Sequence, residues 1–167
     1  MPSDLARVLD RYVDFGDALR PELLEEPNRL ALATALKSGR LCVIRDAFRT
    51  EFAEYVANFL GSLSGWENVA IAQHPFTAFF GAALEQEQFP DELHRLRAVF
   101  DHPNTKRMVG EWSGLDCDGS VRMHASRFVA GHYNLPHNDR GLGEVSGQNN
   151  QLQVAFDDFL VVEAVPV

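Results

Sequence analysis

The residues of this chain best suited to chemistry are His137 and Asp139, which are separated by one residue. They lie near the end of the stretch 125–140, whose pattern predicts an extended segment, a turn at Ala130-Gly131 and a second extended segment. In a β-strand, side chains two residues apart point to the same face, so the imidazole and the carboxylate would converge on one point. A neutral imidazole and a carboxylate together suit a divalent transition metal. The pair is therefore a candidate metal site, and the alternative is a solvent-exposed polar end of a hairpin.

A wider pattern of spaced residues surrounds this pair. It runs Ser126-Arg127-Phe128-x-x-Gly131-x-Tyr133-x-x-Pro136-His137-x-Asp139. The pattern resembles the iron-binding strand of the Fe(II)/2-oxoglutarate-dependent dioxygenase superfamily, particularly its prolyl-hydroxylase-like group. The resemblance implies that His137 and Asp139 are two of the three ligands, two histidines and a carboxylate, that hold Fe(II) in these enzymes.

The resemblance also implies 2-oxoglutarate as a cosubstrate bound beside the iron. Three residues near the iron pair are candidates for contacting it: Arg127, Phe128 and Tyr133. Ser126 and Leu135 are further candidates for the pocket wall, although a buried aromatic-rich hairpin would place the same residues there without any function. The implied reaction hydroxylates or otherwise oxidises a small molecule or a protein side chain, while the protein keeps coordination positions open and the pocket dry.

The chain departs from the family's pattern after Asp139. In the family, a second histidine on a late strand completes the iron site, and a basic residue beyond it binds the distal carboxylate of 2-oxoglutarate. The residues after Asp139 contain no histidine, and Arg140 is their only basic residue. The end of the chain, Val162-Glu163-Ala164-Val165-Pro166-Val167, is similar to the family's His-Glu-x-x-Pro-Val. Val162 then stands where the second histidine belongs, and the strand that carries the base is missing.

A third metal ligand would have to come from outside the motif. The candidates are His74, His124, His132, Asp157 and Asp158. No spacing rule selects among them. Side chains alternate between the two faces of a strand, and His132 and His137 fall on opposite faces in that alternation. The His132 side chain is therefore predicted to point away from the pair.

Three classes of function remain open. The first is an Fe(II)/2-oxoglutarate-dependent oxygenase. The second is a catalytically degenerate interaction module on the same fold, which Val162 and the missing base favour. The third is a different metal-dependent cupin-like protein that uses His137, Asp139 and an unidentified ligand. A chain that stops inside what resembles a strand is also compatible with a longer native polypeptide.

The composition is that of an ordinary globular protein. The chain has 167 residues, of which 46% are hydrophobic and 23% are charged, which predicts one domain with a sizeable core. A formal net charge of -9 argues against nucleic acid and anionic membranes as partners, because both repel an acidic surface. The N-terminus lacks the pattern of a signal peptide, and no apolar run approaches the roughly 20 residues that a membrane helix needs. Cys42 and Cys117 match no zinc spacing and predict free thiols in a reducing cytoplasm.

Apolar periodicity predicts helices in the first two-thirds of the chain and strands in the last third. The first predicted helix starts at Ser3 or Asp4. Further helices are predicted at 21–36, with a break at Pro27, at 50–61 and at 91–100. A last short helix is predicted to end near Trp112. A buried strand is predicted at 41–44. The later strands are predicted at 121–129, 132–139, 151–156 and 159–165. Residues 66–86 are apolar but have no clear period.

Helices followed by strands predict an α+β fold in a single domain, 1–167, with a mainly helical part at 1–118 and a β-rich part at 119–167. The resemblance implies that the N-terminal helices pack on a shortened or incomplete double-stranded β-helix, the jelly roll of the superfamily. Two strands after the iron strand cannot complete an eight-stranded jelly roll. Self-association, or a partner chain that completes the sheet, is therefore a further expectation.

Overall fold

A computed structural model describes residues 8–40, 42–73, 76–117, 119–121, 123–134, 154–156 and 159–161. The fold combines α-helices with an antiparallel sheet, so the predicted α+β class is confirmed. The chain forms two compact units. The first comprises Met1–Tyr55 and Asp91–Gly119, and the second comprises Val56–Pro90 and Ser120–Val167. Two compact units are compatible with the single domain predicted from the chain length, which stays a prediction.

The helices after residue 20 lie where the sequence predicts them, whereas the short helix at residues 15–18 was not predicted. Their bounds are α1 Phe15–Ala18, α2 Pro21–Leu24, α3 Glu26–Lys37, α4 Thr50–Ser62, α5 Asp91–Asp101 and α6 Pro103–Ser113. The break predicted at Pro27 is confirmed, because α2 ends at Leu24 and Pro27 lies in the first turn of α3. Proline is tolerated there because the first turn of a helix does not use its backbone N–H. Gly114 has a φ of 76° and ends α6 in the left-handed conformation that favours glycine.

The core of the helical unit contains the residues that the stripes predict. On α5 the buried side chains are Leu93, Leu96, Val99 and Phe100. Aromatic rings pack beside them, with centroid distances of 4.9 Å between Tyr12 and Phe52 and of 5.5 Å between Phe15 and Phe100. The apolar stripe of α4 is buried from Phe52 to Leu60, and its first part, Phe52 and Tyr55, belongs to this unit. Aromatic pairs at these distances add stabilisation beyond the area that they bury.

One buried hydroxyl links three helices of this unit. Thr105, on α6, accepts a hydrogen bond from the backbone N–H of Phe15 at 2.9 Å and donates one to the carbonyl of Val99 at 2.6 Å. The first of these groups belongs to the start of α1 and the second to the last turn of α5. Backbone groups at helix ends have no partner inside their own helix, so Thr105 satisfies groups that burial would otherwise leave unpaired.

The second unit is built on an antiparallel sheet, which has six strands within the described residues. They are β1 Glu67–Gln73, β2 Phe76–Leu84, β3 Ala125–Arg127, β4 Tyr133–Asn134, β5 Val154–Phe156 and β6 Phe159–Val161. Their order is β1-β2-β3-β6-β5, and β4 also pairs with β2. A short 3-10 helix, Gln86–Gln88, follows β2. The jelly-roll arrangement of these strands stays a prediction.

Two parts of the chain differ from the sequence-based expectation. The buried strand predicted at 41–44 is wrong in its described part: residues 42–44 have no regular structure, and the Val43 side chain is 78% exposed. β-Branched residues favour a strand only where a neighbouring strand supplies the pairing. Residues 67–73 and 76–84, by contrast, form the two longest strands described. Their period was unclear because the pairing shifts between Ile71 and Ala72, where β2 carries an extra residue, and a bulge of this kind interrupts the alternation of faces.

Among the residues that the structure describes, no helix is both long enough and apolar enough to cross a membrane.

Candidate functional site

The described part of the predicted iron motif ends at Asn134. His137 and Asp139 therefore lie outside the described residues, and their convergence on a metal stays a prediction. The same is true of other residues that the sequence singled out: His74, Leu135, Pro136, Arg140, Asp157, Asp158 and Val162. The structure does describe how the chain approaches the pair.

The approach consists of β3, the loop 128–132 and β4, all lying along one side of β2. Arg127 pairs with Ala82 and Tyr133 pairs with Phe80. The five residues of the loop therefore lie opposite the single residue Gly81. The first predicted extended segment and the turn after it are confirmed. The second segment is confirmed at Tyr133–Asn134, and its remainder lies outside the described residues. Within the described residues both segments pair with β2.

The turn inside the loop has the chemistry that its sequence predicts. The backbone N–H of His132 donates to the carbonyl of Val129 at 2.9 Å, which closes a four-residue turn. Gly131 is its third residue and has a φ of 92°, as position i+2 of a type II turn requires. A Cβ added at Gly131 would meet nothing within 4 Å. Glycine is therefore needed here for its backbone conformation and not for space.

The His132 ring contacts an aromatic ring of β2 and the backbone of its own loop. Its plane stands nearly perpendicular to that of Phe80, with ring centroids 5.2 Å apart. Its Nδ1 lies 3.3 Å from the backbone nitrogen of Val129 and 3.2 Å from the carbonyl oxygen of Arg127. An Nδ1 without a proton accepts from the Val129 N–H, and an Nδ1 with a proton donates to Arg127. Each neutral tautomer therefore has a partner in the loop backbone.

The position of this ring shows where the parity argument made from the sequence applies. Phe80 contacts the rings of both His132 and Tyr133, the latter at a centroid distance of 6.4 Å. Adjacent residues of a continuous strand would point to opposite faces, but His132 belongs to the turn and its ring reaches the same neighbour as Tyr133. His137 lies outside the described residues, so the orientation of His132 relative to it stays a prediction.

The three residues predicted to contact 2-oxoglutarate lie on two faces of the sheet. Arg127 pairs with Ala82 and Tyr133 pairs with Phe80. Ala82 and Phe80 are two residues apart in β2 and so share one face of the sheet. Phe128 instead packs edge-on against Phe79, with a centroid distance of 5.8 Å. Phe79 and Phe80 are consecutive in β2 and so point to opposite faces. Tyr133 is 41% exposed. The described geometry groups Arg127, His132 and Tyr133, and the cofactor role of each residue stays a prediction.

The glycine in β2 is a feature that the sequence reading missed. A Cβ at Gly81 would lie 2.7 Å from Cζ of Phe79, so glycine allows the Phe79 ring to lie over this position and meet Phe128. The detectable signal was Phe79-Phe80-Gly81, two aromatic residues followed by glycine within an apolar run. A glycine inside a strand often marks a close approach of this kind.

The remaining predicted positions are polar or titratable. Ser126 is buried and pairs with Ala83 of β2 and with Leu160 of β6. His124 is half-buried just before β3. Within the described ranges, which exclude His137 and Asp139, no group of three or more His, Cys, Asp or Glu residues is arranged to hold a metal ion. The third ligand is therefore not identified by the described geometry.

No protein-family model matches the chain, and no curated protein sequence matches it significantly. The family resemblance rests on the motif residues themselves.

Proposed function

We propose that this chain is an Fe(II)/2-oxoglutarate-dependent oxygenase-like protein that hydroxylates or otherwise oxidises a small molecule or a protein side chain. The observation that carries the proposal is the motif 126–139, which ends in His137-x-Asp139. Its described part supports the comparison, because it is a strand, a glycine turn and a second strand attached to an antiparallel sheet. The resemblance gives this order to the iron-binding strand of the superfamily.

The donor chemistry of the motif fits two of the three positions of the iron site. His137 and Asp139 would hold Fe(II), which when bound would couple the decarboxylation of 2-oxoglutarate to the activation of O2. Arg127 and Tyr133 share one face of the sheet and offer a guanidinium and a phenol as hydrogen-bond donors to a carboxylate. A carboxylate buried without such a partner would be unfavourable. Among the residues that the structure describes, these two are the best candidates to replace the missing downstream base.

The second candidate is a catalytically degenerate interaction module on the same fold. The observation that favours it is Val162, which occupies the place of the second histidine and cannot ligate a metal. The absence of lysine and arginine after Arg140 points the same way. On this alternative the His137-x-Asp139 pair is a remnant, and the sheet serves to bind another protein.

Metal binding and turnover, measured separately, distinguish the two. Calorimetric titration with Fe(II), under anaerobic conditions, or with Mn(II) should show weak binding by the unmodified chain. His137→Ala and Asp139→Ala should weaken it by at least about tenfold, since even outer-shell partners of a metal contribute roughly 10- to 100-fold. His94→Ala is the matched control, because His94 is exposed on α5 and lies outside the motif.

Turnover is measured as succinate formed from 2-oxoglutarate with Fe(II) and ascorbate. We expect little or none from the unmodified chain and a clear increase in Val162→His. Robust turnover by the unmodified chain would show that its third ligand and its base lie elsewhere. His124→Ala and His132→Ala would then test the two described candidates for the third ligand. If neither the unmodified chain nor a folded Val162→His variant binds metal, the oxygenase proposal fails and the interaction module is favoured. Metal binding that survives Asp139→Ala would contradict the proposed ligand pair.

A further inference from the structure

Strand β1, Glu67–Gln73, lies at the end of the strand order and has β2 as its neighbour within the described residues. No backbone group of β1 bonds to any described residue outside that pairing. A strand in this position presents a row of backbone donors and acceptors that another strand can use. We propose that β1 is a self-association site, at which it pairs antiparallel with β1 of a second copy of this chain.

The sequence of β1 itself lacks the residues that usually protect an edge. Proteins block open edges with lysine, proline, inward-pointing charges or bulges in the edge strand itself. β1 reads Glu-Asn-Val-Ala-Ile-Ala-Gln, with no proline or lysine and with its one charge at the first residue. The irregularity in the β1–β2 pairing places the extra residue on β2, between Thr77 and Phe79. The outer backbone of β1 is therefore continuous.

The sequence of β1 is complementary to itself in one antiparallel register. With the two-fold axis at Ala70, Ala70 lies opposite Ala70 of the second copy, and Val69 lies opposite Ile71 of the second copy. Glu67 then lies opposite Gln73 of the second copy, so no like charges face each other. Cross-strand pairs of β-branched residues stabilise antiparallel sheets, and like charges opposite each other destabilise them. This register gives the favourable pairs and avoids the unfavourable ones.

The acidity of the chain does not oppose this pairing locally. In the proposed register the two Glu67 residues lie at opposite ends of the paired strands, roughly 20 Å apart at about 3.3 Å per residue. That separation exceeds the Debye length of about 8 Å at physiological ionic strength. Glu67 is also held within its own chain, because its Oε1 accepts a hydrogen bond from Nε2 of Gln88 at 2.9 Å.

The test uses the central position, where a substitution meets its own copy. Ala70 is exposed, so Ala70→Lys and Ala70→Glu can be accommodated in the isolated chain. Each should place two like charges about 5 Å apart in the paired state and raise the dissociation constant of the dimer by at least about tenfold. An equimolar mixture of the two variants should dimerise again, because Lys then lies opposite Glu.

The readout is the weight-average mass from analytical ultracentrifugation over a concentration series, with far-UV circular dichroism to confirm folding. The unmodified chain should rise from 18.7 kDa towards twice that mass. Val43→Lys is the control, because Val43 is the most exposed large apolar side chain described and lies in the other unit. Its dimer should be unchanged. An unmodified chain that stays monomeric at every concentration overturns the proposal. A dimer that both Ala70 variants leave intact, or that Val43→Lys dissociates, also overturns it. These outcomes are independent of metal binding.

Discussion

Replacing Gly131 by alanine tests the backbone conformation on which the approach to the candidate iron pair depends. Its φ of 92° lies in the left-handed region, and an added Cβ would meet nothing within 4 Å. The cost is therefore conformational and not steric. An L-residue other than glycine pays about 1–2 kcal/mol there, and alanine recovers roughly 0.4–1 kcal/mol by restricting the unfolded chain. We expect Gly131→Ala to lower the free energy of unfolding by about 1 kcal/mol as the balance of these two effects.

Gly61→Ala is the matched control for this prediction. Gly61 lies near the end of α4, in the same compact unit, and an added Cβ there also meets nothing within 4 Å. Its backbone is helical, so alanine should raise the free energy of unfolding, by up to about 0.5–1 kcal/mol. The two substitutions add the same methyl group and should shift stability in opposite directions. Gly131→Asn should cost less than Gly131→Ala, because asparagine tolerates the left-handed region better than other residues.

The assay is urea denaturation followed by tryptophan fluorescence. A Trp112→Phe background leaves Trp66 as the single reporter, and Trp66 belongs to the same unit as both glycines. Its indole Nε1 donates to the carbonyl of Leu63 at 3.1 Å, so its environment should change when the unit unfolds. If Gly131→Ala stabilises the unit as Gly61→Ala does, the positive φ is not required by the fold, and the turn would not position the residues that follow it.

Two further predictions concern the helical unit. Thr105→Val removes the hydroxyl that serves the Phe15 N–H and the Val99 carbonyl, and it should lower the free energy of unfolding by about 2–6 kcal/mol, at 1–3 kcal/mol for each buried unpaired group. Thr105→Ser keeps both hydrogen bonds and should cost clearly less; equal losses in urea denaturation would contradict this account. Burial raises the pKa of Tyr12 and of Tyr55 above the ordinary value of 10.0, so the folded state holds these protons more tightly than the unfolded state. That contribution to stability is complete below pH 10 and is lost as the pH rises through the folded-state pKa. Absorbance titration should show two tyrosines ionising at higher pH in the folded chain than in the chain unfolded by urea, and coincident titrations of the two states would refute it.

The helices were predictable because their packing repeats along the sequence. Leu93, Leu96, Val99 and Phe100 return every three or four residues, and one face of a helix is all that the core of this unit requires. Residues 42–44 show the opposite case. Val43 and Ile44 have strong strand preference, but a strand also needs a partner, and the local sequence carries no information about that partner.

In the segment 125–134, which leads to the candidate site, the turn was predictable from the sequence. The side of the sheet that each side chain faces was not. Gly131 follows from the need for a positive φ, which a short glycine-containing segment between two extended ones signals. The position of the His132 ring does not follow, because alternation holds only within a continuous strand and the turn interrupts it. The segment Phe79-Phe80-Gly81 signals a close approach at the glycine, but the contact of the Phe79 ring with Phe128 could not be predicted, since these two residues lie far apart in the sequence.

The central place of β2 has a consequence for the order in which the second unit folds. β2 pairs with β1 next to it in the chain, where Gln73 faces Phe76, and also with β3, where Leu84 faces Ala125. The first pairing closes a very short loop, whereas the second closes a long one that contains α5 and α6. The entropy of closing a loop must be lost before distant contacts compensate for it, so non-local strand pairing is the slower event. We expect the β1–β2 pair to form early and to serve as the template on which β3 and the candidate iron motif are assembled.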